Sequence, residues 1–485
     1  MYNLILKKAI SILLPFSFFQ TASAQLQPAA VFSSNMVLQR DKPAPVWGRA
    51  TPGTKVTVRF MKQQVSTQSD TAGYWKVVLK AMKANTDPHT LRIQADTLIE
   101  LNNILVGDLW LCSGQSNMEY PMDRKWKKYA APKHGTDVSA EELANPNKPD
   151  GVRLLYVERT LNKLPLLPTK GWTLSSDTML RFVSAIGYHF AKEINAETGV
   201  PIGIISSSWG GTKVEEWTPD WAYEQSPVFR DSAATRNFRI NGLHPGQKFN
   251  AMVKPLLPLA IKGVLWYQGE NNCNTNDQSL YPDKFRLLVD TWRTLFNDQQ
   301  LPFYYVQIAP CLYTNRVKDN PRAKDEFTLP LTWEAQAKGL SISNTGMAVT
   351  TDLVDNLNDI HPSYKWTVAH RLALWAGAKT YNIKHIEYSG PIYQSMKVEG
   401  DKVLLSFAHA NGLKSSDGKP LTWFTIAAAD GKFVPATAEI VEGRVVVSSP
   451  DIKQPAHVRF AWHEAAQPNL VNAGGLPALP FRTTL

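Results

Sequence analysis

The chain has 485 residues, of which 44% are hydrophobic and 19% charged, with a formal net charge of +10. That length exceeds one ordinary domain, and the balance supplies sizeable apolar cores, which excludes a disordered or low-complexity chain. Lysines and arginines are scattered instead of forming a stripe, so nucleic-acid binding is not indicated and attraction to anionic glycans is weak.

Residues 1–24 begin with Lys7 and Lys8, continue through an apolar run from Ala9 to Phe19 and close on Ala22, Ser23 and Ala24. This is the order of a cleaved secretory signal peptide, with a retained anchor as the competing reading. The apolar run is too short to span a bilayer, and no later stretch reaches about 18 uninterrupted apolar residues. The expectation is an exported protein, periplasmic or secreted, with no membrane span. Lys7 and Lys8 leave with the leader, so 50 basic and 42 acidic residues remain. Cys112, Cys273 and Cys311 are too few and too far apart for a disulfide framework or a zinc site, although export would permit one bridge.

From Val31 to about Leu101 the chain runs in short β-type stretches such as "TPGTKVTVRF" and "GYWKVVL" separated by turn formers. Residues 25–101 therefore read as an amino-terminal β-sandwich. At "NNILVGDLWLCSG" the pattern changes to strands alternating with helical periodicity, the signature of an α/β domain with a mostly parallel sheet over 102–382. The predicted strands are Ile104–Cys112, Ile202–Ser206, Gly263–Tyr267, Phe303–Ile308 and Gly346–Thr350. The predicted helices are Ala185–Glu197, Tyr281–Phe296 and Lys365–Tyr381. The segment from about Lys125 to Gly151, rich in Lys, Asn and Pro, reads as a long excursion. After about Ile383 β-type runs return, and residues 383–485 form either a third unit or the strands that complete the amino-terminal sandwich.

Three short motifs follow predicted strands, where an open parallel sheet places its ligand crevice. In "LCSGQSNMEY", Ser116 lies at a strand-to-helix junction, where a serine either caps the helix or attacks a carbonyl while its own N–H helps to hold the oxyanion. The stretch lacks the second glycine of a G-x-S-x-G elbow, which argues against a lipase of the α/β-hydrolase type. In "IISSSWGGTKVEEW", Gly210 and Gly211 either make a tight turn or present an N–H to a substrate oxygen. In "GVLWYQGENN", an amide of Gln268 or Asn271 could complete an oxyanion hole, while Glu270 is expected to anchor the loop by ion pairing. For a base, His361 stands out in "DLVDNLNDIHPSYKWTVAH", with Asp352, Asp355 and Asp359 close enough in sequence to orient its ring. A structural histidine is the competing reading there. His370 reads as packing, and His244 is a second candidate for the base. The D-x-D-x-D-G spacing of a calcium loop is absent, and no metal site is expected.

With these motifs in this order, and with "VFSSNMVLQRDKPAPVWG" and "NLVNAGGLPALPFRT" at the flanks, the chain resembles the sialate O-acetylesterase family of SGNH-type hydrolases in its exported bacterial form. The resemblance implies an α/β/α catalytic domain with an accessory β-sandwich, and a serine esterase that removes O-acetyl groups from a sugar or glycan without a cofactor. It implies Ser116 as nucleophile, Gly210 or Gly211 as an oxyanion donor, Gln268 as the side-chain donor and His361 as the base. The family commonly places its acid three residues before the histidine. That position is Asn358 here, which leaves Asp359, Asp355, Asp352 or a backbone carbonyl to orient the ring, with Asp359 narrowly preferred. O-acetylated sialic acid is the first expected substrate and acetylated xylan or another plant glycan the second. A non-catalytic glycan-binding protein is the reading from another class. The 15 tryptophans suit sugar stacking but are expected mainly in cores.

Overall fold

The computed structural model describes residues 25–161, 167–233, 244–316 and 325–483. The signal peptide expected at 1–24 lies outside the described residues. In the amino-terminal region burial alternates with a period of two. Val56, Val58 and Phe60 point inward from Lys55–Phe60, and Trp75, Val77 and Leu79 from Tyr74–Leu79. One layer holds Gln27–Pro28, Ala44–Arg49 and Tyr74–Leu79. The other holds Lys55–Phe60, Gln63–Gln68 and Asn85–Gln94, and the two share one core.

The boundary expected after Leu101 falls inside a strand. Leu98–Gly114 is one 17-residue strand. Its first part pairs antiparallel with Asn85–Gln94, and its second part lies at the centre of the α/β sheet. Residues 98–103 alternate between exposed and half-buried, whereas everything from Ile104 to Gly114 is buried. The apolar run that begins at Ile104 thus marks where the strand gains a cover on its second face, not where it starts.

On one side of this strand lies parallel Ile202–Ser208, then parallel Val152–Tyr156, with antiparallel Trp172–Leu174 at the edge. On the other side lie parallel Gly263–Tyr267, Phe303–Val306 and Thr345–Ala348. The chain leaves its central strand first to one side and then to the other, which makes the carboxyl end of that strand a topological switch point. Side chains alternate between two cores. Leu109 and Leu111 face the sandwich and the helix Tyr281–Leu295, while Trp110 and Cys112 face the helices Ala185–Thr198 and Lys365–Lys379. Ser184 accepts the Gly187 N–H at the start of Ala185–Thr198, and Gly199 ends it in the left-handed conformation.

Each predicted strand and helix of the α/β region has a counterpart within a few residues, the longest discrepancy being the early start at Leu98. Val152–Tyr156, Trp172–Leu174 and the helix Thr328–Ala337 have no counterpart in the sequence reading. The first is a five-residue run carrying Arg153 directly after the polar excursion, so no alternation announces it. The excursion itself contains a short helix, Val138–Ala144.

The carboxyl-terminal strands hydrogen-bond with one another. Ile392–Glu399, Lys402–Ala408, Arg444–Ser448 and Thr437–Val441 form one sheet, and Val434–Pro435, Phe424–Ala427, His457–Phe460 and Phe481–Arg482 another. Among the described residues none of them pairs with an amino-terminal strand, so they form a β-rich unit of their own instead of completing the sandwich. The reason is placement: their core joins the Trp110 side of the central sheet, whereas the sandwich covers the Leu109 side. Arg482 fastens this unit to the helix Thr328–Ala337 through a two-pronged pair with Glu334 at 2.9 Å.

The sandwich is tied to the central strand by a buried carboxylate. Asp108 accepts from Gln39 Nε2 at 2.9 Å and from Arg40 Nε and Nη2 at 3.1 and 2.9 Å. Asp108→Ala leaves a half-buried guanidinium with only the exposed Asp41, at 3.7 Å, and is expected to cost about 3 kcal/mol, read as a lower urea midpoint at unchanged slope. An unchanged midpoint would remove this contact from the account of stability. No disulfide joins cysteines among the described residues, and all three are buried. No described helix is long and apolar enough to cross a membrane.

Candidate active site

Ser116 sits at the switch point. Gly114 has φ +131°, and a Cβ there would lie 2.2 Å from the Tyr267 carbonyl oxygen, so only glycine lets the strand end pass its neighbour this closely. Gln115 continues extended and donates its N–H to Tyr267 O at 2.9 Å. Ser116 then opens the one-turn helix Ser116–Glu119, whose cap position is Gln115 and carries no side-chain cap bond. The serine is therefore not a helix cap. Its Oγ lies 2.9 Å from His361 Nε2, and the residue is only 9% exposed.

His361 occupies the loop between Thr345–Ala348 and Lys365–Lys379. Asp359 Oδ1 accepts its backbone N–H at 2.9 Å and lies 3.2 Å from Nδ1. Burial raises the Asp359 carboxyl, but the hydrogen bonds and charge of His361 outweigh this and hold it below the ordinary carboxylate value. The other two aspartates have different partners. Asp352 pairs with Arg371, and Asp355 accepts from Tyr364 Oη and the Lys133 N–H. His370 lies 2.8 Å from Glu193 on an exposed helix face, and His244 is exposed.

Around Ser116 the three motifs meet. A Cβ on Gly210 would lie 3.2 Å from the Ser116 Cβ, so this glycine forms the wall beside the hydroxyl. Its N–H, however, is given to Glu119 Oε2 at 3.0 Å. Gly211, at φ +76°, accepts Asn271 Nδ2 on its carbonyl at 2.6 Å, which ties the second motif to the third. Gln268 departs from its expected role as oxyanion donor. Its Nε2 faces Asn272 Oδ1 at 2.7 Å and Gln115 Oε1 and Thr212 O at 3.2 Å, so both amide hydrogens are spent inside the core. Together with the Asn271 N–H, at 3.2 Å from the same oxygen, it orients Gln115.

Glu119 and Lys365 are residues the motif reading passed over, whereas Asn117, beside Ser116, reads from the sequence as a positioning neighbour. The Asn117 amide donates to Glu270 Oε1 and to Ile360 O, the latter at 2.8 Å, and its oxygen accepts Lys365 Nζ at 2.6 Å. One carboxamide thus joins the residue after the serine, the residue before the histidine and the third motif. Glu270 pairs with this amide and not with a cation as expected. Burial raises its carboxyl against the opposing Asn117 bond, and Oε2 is buried without a hydrogen-bond partner. Lys365 is fully buried, its ammonium 4.7 Å from the Tyr120 ring centre, and desolvation pushes it down to about 7. A signal was present: Lys365 shares the helical phase of buried Val368, Ala369 and Leu372, where an amphipathic helix places apolar residues. Lys365→Met is expected to lower kcat by about tenfold or more with secondary structure intact, because Asn117, which holds Glu270, loses the ammonium that orients it. Wild-type kcat in this variant would rule that dependence out.

Beside Gly210, Trp209 has two cations near its ring, Arg159 at 5.6 Å and Lys248 at 3.9 Å from its centre. Tyr129 approaches the His361 ring at 4.7 Å between centres. The arrangement offers a hydroxyl on an imidazole, the imidazole on a carboxylate and a cationic, aromatic rim, which are the parts an acyl-transfer site needs.

Comparison with known proteins agrees with this geometry. The sequence model for "Carbohydrate esterase, sialic acid-specific acetylesterase" matches residues 106–363, which contain Ser116, Asp359 and His361. The chain is 29% identical to human sialate O-acetylesterase over 93% of its own length and 91% of the human protein, and 28% identical to the rat enzyme over 90% and 89%. The crystal structure of a carbohydrate acetylesterase from Xanthomonas citri superposes with a TM-score of 0.82 at 33% identity, covering 94% of this chain and 99% of that one. On a match spanning more than half of the chain and a structural relative spanning nearly all of it, the protein belongs to the carbohydrate esterase family of sialic acid-specific acetylesterases.

Proposed function

We propose that the protein is a serine carbohydrate O-acetylesterase that removes O-acetyl groups from sialic acids through an acetyl-enzyme intermediate. The observation that carries the mechanism is the 2.9 Å contact between Ser116 Oγ and His361 Nε2, with Asp359 on the other ring nitrogen. His361 takes the Ser116 proton as Oγ attacks the acetyl carbonyl, and Asp359 holds the ring and stabilises the imidazolium. The tetrahedral oxyanion is held by first-turn N–H groups at Ser116 and by Gly210 once its N–H is released. The sugar hydroxyl leaves with the proton from His361. Water, deprotonated by the same histidine, then frees acetate. No step calls on a cofactor.

The sialate substrate is supported by the relatives' activity and by the cations Arg159 and Lys127, both on Glu119 in the turn that Ser116 opens, which suit an acidic sugar. The test is acetate release from O-acetylated sialic acids and from acetylated xylan. Release from sialic acids is expected to dominate, and strong release from xylan with none from sialic acid would transfer the activity to plant glycans. If p-nitrophenyl acetate is turned over no faster by the wild type than by Ser116→Ala, the protein is a glycan binder and not an esterase. Export through residues 1–24 belongs to the same proposal. It is supported by the Lys7–Lys8, apolar and Ala-Ser-Ala order, and is checked by the amino terminus of the mature protein.

A further inference from the structure

Glu119 occupies a donor that ester hydrolysis needs to be vacant. The residue ends the turn that Ser116 begins, and its side chain is 6% exposed. Oε2 accepts the Gly210 N–H, and the same glycine lies against Ser116. Oε1 is held by Arg159 and stands 3.5 Å from Lys127 Nζ. A single N–H cannot serve a resident carboxylate and a developing oxyanion together, since two anions sharing one donor in a largely dry site repel. Arg159 is the most exposed of the cations here, with 36% of its side chain accessible, whereas Lys248, which also approaches the Trp209 ring, is buried on Glu216.

We propose that Glu119 is a displaceable occupant of the Gly210 donor, held there by Arg159, and that the carboxylate of an acidic sugar substrate replaces it on Arg159. Glu119 then turns to Lys127, the cation already beside it, and the Gly210 N–H becomes free for the oxyanion. The exchange moves no covalent bond and no proton; one anion replaces another on the guanidinium. An acidic substrate thereby opens its own site, while a neutral acetyl ester must expel Glu119 unaided. Arg159 and Glu119 are on this account specificity-determining residues. The inference rests on the proposed role of Ser116 and adds the recognition of the acid group to it.

The experiment compares kcat/KM for an O-acetylated sialic acid and for p-nitrophenyl acetate in the full-length wild type, Glu119→Ala, Glu119→Gln and Arg159→Met. Wild-type turnover of both esters, abolished by Ser116→Ala, establishes the esterase reading independently. Glu119→Ala is then expected to raise kcat/KM for p-nitrophenyl acetate by about threefold or more, because the donor is already free. Arg159→Met is expected to lower kcat/KM for the sialic acid ester by about tenfold or more and so to shrink the preference for it over the neutral ester. If Glu119→Ala is poorly folded, Glu119→Gln, which keeps the volume and removes the charge, should shift the ratio of the two substrates in the same direction as Glu119→Ala. Equal falls on both substrates in a folded Glu119 variant would overturn the proposal and make the residue a support for the Gly210 loop.

Discussion

Ser116→Ala is expected to lower kcat for acetate release by roughly 10⁴-fold or more, with KM little changed. The size of the effect follows from the role. The hydroxyl forms the covalent bond in the first step, and no neighbouring group can take its place, because the other groups at the site are donors, a base and carboxylates. The residual rate of such variants comes from the remaining electrostatic environment, worth about 10³–10⁴ over water in well-studied serine hydrolases. Alanine removes one buried oxygen and leaves the Gly114 bend and the Gln115 N–H bond to Tyr267 in place, so folding is expected to be normal. The measurement is steady-state kinetics on an O-acetylated sugar, supported by acetyl-enzyme detection by mass spectrometry in the wild type. A rate within tenfold of wild type would rule Ser116 out as the nucleophile.

Asp359→Asn is expected to cost about 10²–10⁴ in kcat, while Asp352→Asn and Asp355→Asn stay close to wild type. The substituted carboxamide would present either an oxygen or an amide to Nδ1 and would lack the charge that stabilises the imidazolium. The partially exposed position of Asp359, 33% of its side chain, and its 3.2 Å separation from Nδ1 place the effect towards the lower end of that range. The controls are well defined, since Asp352 serves Arg371 and Asp355 serves Tyr364 and Lys133. The same carboxylate links the site to pH. Its folded pKa lies below the unfolded value near 3.9, so its contribution to stability is complete above that value and is lost as the pH falls through the folded one. Acid unfolding of Asp359→Asn should therefore lack this component, measurable as a shallower decline of the melting temperature as the pH falls below about 4. Equal turnover by Asp359→Asn and wild type would leave the ring without its acid.

Much of the architecture was legible because it is written in local periodicity. The α/β region announces itself through unbroken apolar strands such as Gly263–Tyr267, buried at every position, and the helix Tyr281–Leu295 through its apolar stripe. The elements missed were those whose burial comes from neighbours and not from their own pattern. Val152–Tyr156 carries Arg153 and follows a polar excursion, yet it is buried because it lies between Ile202–Ser208 and Trp172–Leu174 in a sheet with a core on each face, Leu155 entering one and Val152 and Leu154 the other. The change of pattern at Leu101 falls inside a strand for the opposite reason. A change in side-chain pattern was visible, but a continuous backbone ladder crosses it.

Taken by itself, the sequence determined the strand-turn junctions and their chemistry: a glycine two residues before a serine, a glycine pair after a strand, an acid-rich loop before a histidine. Those are local matters of backbone freedom and residue type, and they named Ser116, His361 and the three candidate aspartates. Tertiary structure alone decided which of those aspartates touches the imidazole, that Gln268 is consumed within the core, and that Glu119 and not solvent meets the Gly210 N–H. Ser116 and His361 are 245 residues apart in the chain, and Asn117 and Lys365 248. Contacts of that span depend on how the two halves of the sheet pack, and a donor's availability depends on which acceptors that packing brings within about 3 Å.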